Sequence, residues 1–166
     1  MRHAEEASGR HAEEAFMRHA IDLSRQGMAG GAGGPFGAVV VLDGQVVAEG
    51  WNQVTSTNDP TAHAEVVAIR RACAALGRFD LKGATVFTSC EPCPMCLAAL
   101  YWARVDAVVY ANARDQAAAI GFDDEWLYQE IPKPIEARSL PMRRLLAAEA
   151  LEVFEAWAAK PDKTPY

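Results

Sequence analysis

Two short segments must meet in space if this chain is to use its most reactive side chains together, and that requirement restricts its fold. His63-Ala64-Glu65 is followed about 30 residues later by Pro92-Cys93-Pro94-Met95-Cys96. One imidazole, two thiols and one carboxylate form a donor set suited to zinc, a borderline-soft ion that prefers tetrahedral nitrogen and sulfur ligands. Three protein ligands, His63, Cys93 and Cys96, leave the fourth position for water, as in hydrolytic sites. Glu65 then remains free for proton transfer.

The spacings have local reasons. Residues 61–76 are rich in helix formers, with Ala62, Ala64, Val66, Val67, Ala68, Ile69, Ala72 and Leu76 giving an apolar face and Gly77 as a stop. Asp59 suits an N-cap and Pro60 a first helical position, which predicts a helix over 61–76 with His63 and Glu65 in its first turn and a half. Two residues apart on a helix means about 200° of rotation, so one side chain can bind a metal while the other approaches from the side. Residues 84–89 are strand-like, Pro92 and Pro94 suit a strand-to-helix turn, and a helix is predicted over 93–103. Cys93 and Cys96 then share one face at a helix N-terminus, where thiolates are favoured.

The same residues have competing uses. Cys90-Glu91-Pro92-Cys93 repeats the two-residue spacing, and with Cys73 the chain holds four cysteines, enough for a closed structural site. Cys73, however, lies ten residues beyond His63 on the same predicted helix, about 15 Å away at 1.5 Å per residue. Cys73 and Cys90 read as small buried hydrophobes.

At 166 residues the chain is expected to build its core without disulfides. No apolar leader opens it and no stretch approaches the roughly 20 apolar residues that span a bilayer, so no membrane association is expected. Cysteines in metal-like spacing fit a reducing cytoplasm. A net charge of −6 argues against a nucleic-acid partner.

Along the chain, Arg2-His3-Ala4-Glu5-Glu6-Ala7 recurs as Arg10-His11-Ala12-Glu13-Glu14-Ala15. The duplicated unit is too short for a repeat fold, so residues 1–15 are expected to be an N-terminal extension, disordered or the start of the first helix, and partly dispensable or a cloning remnant. His3, His11 and His19 read as solvated. An amphipathic helix is predicted over 16–26, and the glycine-rich segment 27–34 lacks any phosphate-loop pattern. Apolar runs 37–42 and 45–51 flank Asp43-Gly44, a hairpin signal. Further strands are predicted near 84–89 and 105–111, with helices near 115–119 and over 147–159. A hairpin followed by alternating helices and strands predicts an α/β, three-layer αβα fold with a mixed sheet of about five strands. The main domain is expected over 16–160, with 161–166 as an irregular tail and possible lid.

H-x-E together with P-C-x-x-C is the signature of zinc nucleobase deaminases. From about Pro35 to Tyr166 the chain resembles the cytidine deaminase-like superfamily, and within it the short bacterial guanine deaminases. The resemblance rests on Pro35-Phe36-Gly37-Ala38, on residues 58–65, on residues 88–96, on Tyr101-Trp102-Ala103-Arg104 and on Gly121-Phe122-Asp123-Asp124. The zinc motifs fix the superfamily alone. The Gly-Phe-Asp-Asp stretch and the final tyrosine favour the guanine branch over the tRNA adenosine deaminases.

This resemblance implies one zinc per chain on His63, Cys93 and Cys96, with Glu65 as proton shuttle. It implies substrate contacts from Asn52, Phe36, Ala64, Trp102 and Tyr166, and a homodimer in which the C-terminal segment is exchanged to close the partner's pocket. Asp124 is the candidate second acid, assisting departure of the amine. Asn52 carries a donor and an acceptor in one plane, matching a purine edge, and Phe36 and Trp102 offer flat faces. The expected reaction is hydrolysis of guanine to xanthine and ammonia. Open beside it stand deamination of cytosine, an aminotriazine such as ammeline or tRNA adenosine, and a zinc-binding module without catalysis. Glu65 separates the last of these, since a structural site has no use for an unliganded carboxylate.

Overall fold

The computed structural model describes residues 2–166, with side chains from residue 9 onward, and divides the chain into two compact units, residues 1–124 and residues 125–166. The division between the two units falls at 124/125. In the first unit α1 (Arg2–Ala29) precedes the hairpin β1 (Gly37–Leu42) and β2 (Gln45–Trp51). Then come the short α2 (Val54–Thr57), α3 (Ala64–Leu76), β3 (Thr85–Cys90), α4 (Pro94–Trp102), β4 (Ala107–Asn112) and α5 (Arg114–Ala119).

The first helix is longer than the predicted 16–26. It runs back through the duplicated segment because alanine, glutamate and arginine hold helix well, and pairs such as Arg18 with Glu14, 2.8 Å apart at i,i+4, support its exposed face. The expectation for the His3 side chain lies outside the described residues. At the hairpin, Asp43 and Gly44 both adopt positive φ, 51° and 73°, the conformation a two-residue primed turn requires.

The sheet order is β2-β1-β3-β4, with β1 antiparallel to both β2 and β3, and β3 parallel to β4. Four strands replace the expected five: after β4 the chain carries short helices and prolines, which cannot extend a ladder. The mixed three-layer arrangement is otherwise as predicted. The central strand β1 is buried on both faces, and its alternation sorts the two cores. Val39 and Val41 turn toward α1, joining Ala20, Leu23 and Phe87. Ala38 and Val40 turn the other way, joining Ala64, Ala68 and Ala72 of α3 and Leu100 of α4.

Small residues set how closely α3 approaches the sheet. A Cβ at Gly50 would stand 2.2 Å from the Ala64 carbonyl oxygen and 2.6 Å from the Ala68 nitrogen. Only glycine permits that backbone contact, and it fixes the start of α3 against β2. The remaining unit, 125–166, contains α6 (Glu125–Glu130), a 3₁₀ turn (Ile135–Ala137) and α7 (Ala147–Ala159). Leu151, Val153, Phe154 and Trp157 of α7 are exposed. Among the described residues, no helix is long and apolar enough to cross a membrane.

Candidate functional site

His63 and Cys93 are the N-caps of α3 and α4, both with extended backbone and neither with a side-chain capping bond. The cap carbonyls accept the first helical bonds, from the Val67 N–H at 2.9 Å and the Leu97 N–H at 2.8 Å. Their side chains are therefore released from the usual N-cap duty and turn toward one another. Asp59, expected as the cap of α3, instead accepts bonds from the Thr61 N–H at 2.8 Å and its hydroxyl at 2.7 Å, closing a turn ahead of the helix. The helix consequently starts at Ala64, and His63 sits at its mouth.

The three donors converge. His63 Nδ1 lies 3.6 Å from Cys93 Sγ and 3.5 Å from Cys96 Sγ. A zinc ion bound at about 2.3 Å to sulfur and about 2.0 Å to nitrogen in tetrahedral geometry would hold such ligands about 3.6 Å apart, so the set fits the ion. Among the described residues this is the group of histidine, cysteine and acidic side chains able to hold a metal. Nδ1 is the nitrogen that faces the thiols, which leaves Nε2 to carry the ring proton.

A hydrogen bond from the Cys96 thiol, opposed by burial and reinforced by His63, draws the Cys93 pKa down to about 4. That same bond, together with burial, keeps Cys96 protonated. The Cys93 interaction raises the His63 pKa against desolvation. Glu65 is 6% exposed, and burial holds its carboxyl above the usual range. Helix N-terminal N–H groups favour negative charge at both caps.

Beside the donors lies a cavity of about 440 Å³ whose wall includes His63, Glu65, Cys93, Phe36, Asn52 and Asp124. Asn52 is 5% exposed, and its Oδ1 accepts hydrogen bonds from the Gly34 and Val54 N–H groups, each at 3.2 Å. The expectation that this amide offers both a donor and an acceptor is therefore corrected: the acceptor is used within the fold. Phe36 meets Phe122 edge to face, with centroids 4.8 Å apart. Burial, then the negative charge of Cys93, raises the Asp124 pKa.

Not every expected residue gathers here. Trp102 is 62% exposed at the end of α4, under the Arg104 guanidinium at 5.7 Å, and does not line the cavity. An aromatic at a helix end has no sequence mark that distinguishes a pocket wall from a surface. Ala64 is fully buried, packed at the start of α3 rather than on the wall. Tyr166 belongs to the other unit and is exposed. Sequence reasoning missed Phe122, Glu91 and Arg114 on the wall, and missed Cys90 there, although its burial was expected. Burial also pushes the Cys90 thiol up to about 11, consistent with an inert side chain.

Residues 10–112 match the family described as the cytidine and deoxycytidylate deaminase zinc-binding region. Over 147 residues the chain is 52% identical to the guanine deaminase of Bacillus subtilis, a match covering 89% of this chain and 94% of that enzyme. The crystal structure of guanine deaminase from Bacillus subtilis is similar at a TM-score of 0.90, over 92% of this chain and 98% of that one. A tRNA-specific adenosine deaminase from Agrobacterium fabrum is 45% identical over 86 residues, 52% of this chain and 57% of that protein. The first likeness therefore extends over nearly the whole chain and the last over about half.

Proposed function

The chain belongs to the cytidine and deoxycytidylate deaminase zinc-binding family, and from that premise we propose that it hydrolyses guanine to xanthine and ammonia. The observation that carries the reaction class is the convergence of His63 Nδ1, Cys93 Sγ and Cys96 Sγ beside a cavity that also holds a buried, unliganded Glu65. Near-full-length likeness to a guanine deaminase supports the substrate. An acidic chain of net charge −6 offers little to a phosphate backbone, which argues against a tRNA substrate.

His63, Cys93 and Cys96 would hold a zinc ion, whose chemistry there would be to lower the pKa of a water that serves as nucleophile. Glu65, buried on the cavity wall beside the three donors, would accept a proton from the attacking water and pass it to the ring nitrogen N3 as the oxygen–C2 bond forms. Asp124 would give a proton to the exocyclic amine and take up the one lost by the new C2 hydroxyl, so that the C2–nitrogen bond breaks with ammonia as the leaving group while the C2 carbonyl of xanthine forms. Burial raises its pKa, the direction that favours a proton-donating role. Phe36 provides a flat face for the ring and Asn52 a polar contact at its edge.

The protein acts in the cytoplasm as part of purine breakdown, where its thiols stay reduced. It works as a homodimer with exchanged C-terminal segments, Tyr166 covering the partner's cavity. The uncovered apolar residues of α7 and the exposed Tyr101 and Trp102 of α4 support such an assembly.

Ammonia release from guanine, cytosine, adenine, ammeline and a tRNA anticodon stem-loop tests this reading. Guanine is expected to turn over fastest, with xanthine as the product. Equal or faster release from the stem-loop or from cytosine would reject guanine as the substrate.

A further inference from the structure

The glycine-rich segment before β1 approaches the cavity more closely than a linker needs to. A Cβ at Gly33 would stand 2.1 Å from Asn52 Oδ1 and 2.8 Å from the Asn52 carbonyl oxygen, distances that real Cβ atoms do not reach. The next residue, Gly34, donates its N–H to the same Oδ1 at 3.2 Å. From the other side the Val54 N–H donates to it at 3.2 Å. Both acceptor positions of the amide oxygen are thus taken by backbone, and the amide plane is held from two directions.

The amide nitrogen is in the opposite situation. Asn52 is nearly buried, yet its Nδ2 has no hydrogen-bond partner among the described residues and is not among their fully enclosed unpaired atoms. Asn52 lines the cavity, and with its oxygen held by backbone on both sides we infer that Nδ2 is the atom it turns to that space. A swapped amide would set Nδ2 against two N–H donors, so the orientation is fixed by the fold.

We propose that Gly33 is a positioning residue for substrate recognition, locking Asn52 as a hydrogen-bond donor with no acceptor to offer. Resting on the deaminase reading above, this makes the site selective for a heterocycle that presents an acceptor, a ring nitrogen or a carbonyl oxygen, at that edge. A heterocycle presenting an N–H there meets a donor that cannot turn over to receive it. The device works without any side chain at position 33, and the absence of one is what permits the contact.

A double-mutant cycle with the zinc-loaded full chain tests the proposal: wild type, Gly33→Ala, Asn52→Ala and the double variant, each measured for KM and kcat with guanine, zinc content and Tm. Gly33→Ala is expected to raise KM about tenfold or more, as loss of a well-placed hydrogen bond does, with kcat changed less than about threefold. Added to Asn52→Ala, it should raise KM by less than about twofold. Full additivity, or a loss confined to kcat with KM unchanged, would overturn the proposal. Should Gly33→Ala fail to fold, Asn52→Asp decides. Aspartate keeps the bonds from Gly34 and Val54 but presents an acceptor to the cavity, so guanine binding should fall at least as far as in Asn52→Ala. Retention of the wild-type KM by Asn52→Asp would sink it. Wild type inactive on guanine would reject the substrate reading instead, and the cycle would then be run with the heterocycle that the panel identifies.

Discussion

At the scale of single residues, the division between ligands and proton carrier can be tested directly. Glu65→Gln is nearly isosteric and removes a buried carboxyl, so zinc content and fold should persist while kcat falls by about 10²-fold to 10⁴-fold, the range of general acid–base catalysis. A variant that kept more than a tenth of wild-type turnover would remove Glu65 from the proton path. Two cysteines, Cys96 and Cys73, make a second contrast. Cys96 belongs to the converging donors, whereas Cys73 is partly buried on α3 and outside them. Elemental analysis of Cys96→Ala should show loss of most zinc, and of Cys73→Ala full retention. Equal zinc in both would overturn the ligand assignment.

Elements show where the sequence was legible and where it was not. The last helix, Ala147–Ala159, and the strands of the hairpin lie where periodicity and turn chemistry put them. The ligand residues were legible because zinc chemistry restricts both residue type and spacing. The start of α3 was misplaced because Asp59 followed by Pro60 fits either an N-cap or a tight turn, and the choice depends on Thr61 bonding back to it. Phe122 was missed for a related reason: its role is an edge-to-face contact with Phe36, more than eighty residues away in sequence, which no local pattern encodes. In the second unit one side chain organises a loop. Glu130 accepts bonds from the Ser139 N–H at 2.6 Å and its hydroxyl at 2.9 Å and pairs with Lys133. The Lys133 bond, then those from Ser139, hold the Glu130 pKa at about 2, below its ordinary 4.5. A carboxylate depressed in the folded state contributes stability that is full above the unfolded value and is lost as pH falls through the folded one. Amide exchange at Ser139, corrected for intrinsic rate, should therefore accelerate as pH drops from about 4.5 to about 2. Glu130→Gln should abolish that dependence, and the same acceleration in the variant would assign it to another group.

For the whole molecule, the exchanged-tail assembly yields a complementation test. If the proposed exchange holds, deleting residues 161–166 should leave zinc content and Tm nearly unchanged while sharply lowering kcat/KM for guanine, because the tail would close the partner's cavity. Mixing that deletion with Glu65→Gln chains should restore part of the activity, since one pocket of the heterodimer then has both an intact carboxylate and an intact tail. Heterodimers that form without recovery would reject exchange between subunits. The division of the chain at 124/125 also bears on synthesis. Every donor for the metal, and Glu65 with them, lies in the first unit. A ribosome releasing this chain from its N-terminus therefore completes the donor set before residues 125–166 have emerged, so the order of synthesis does not make assembly of those donors wait on the second unit.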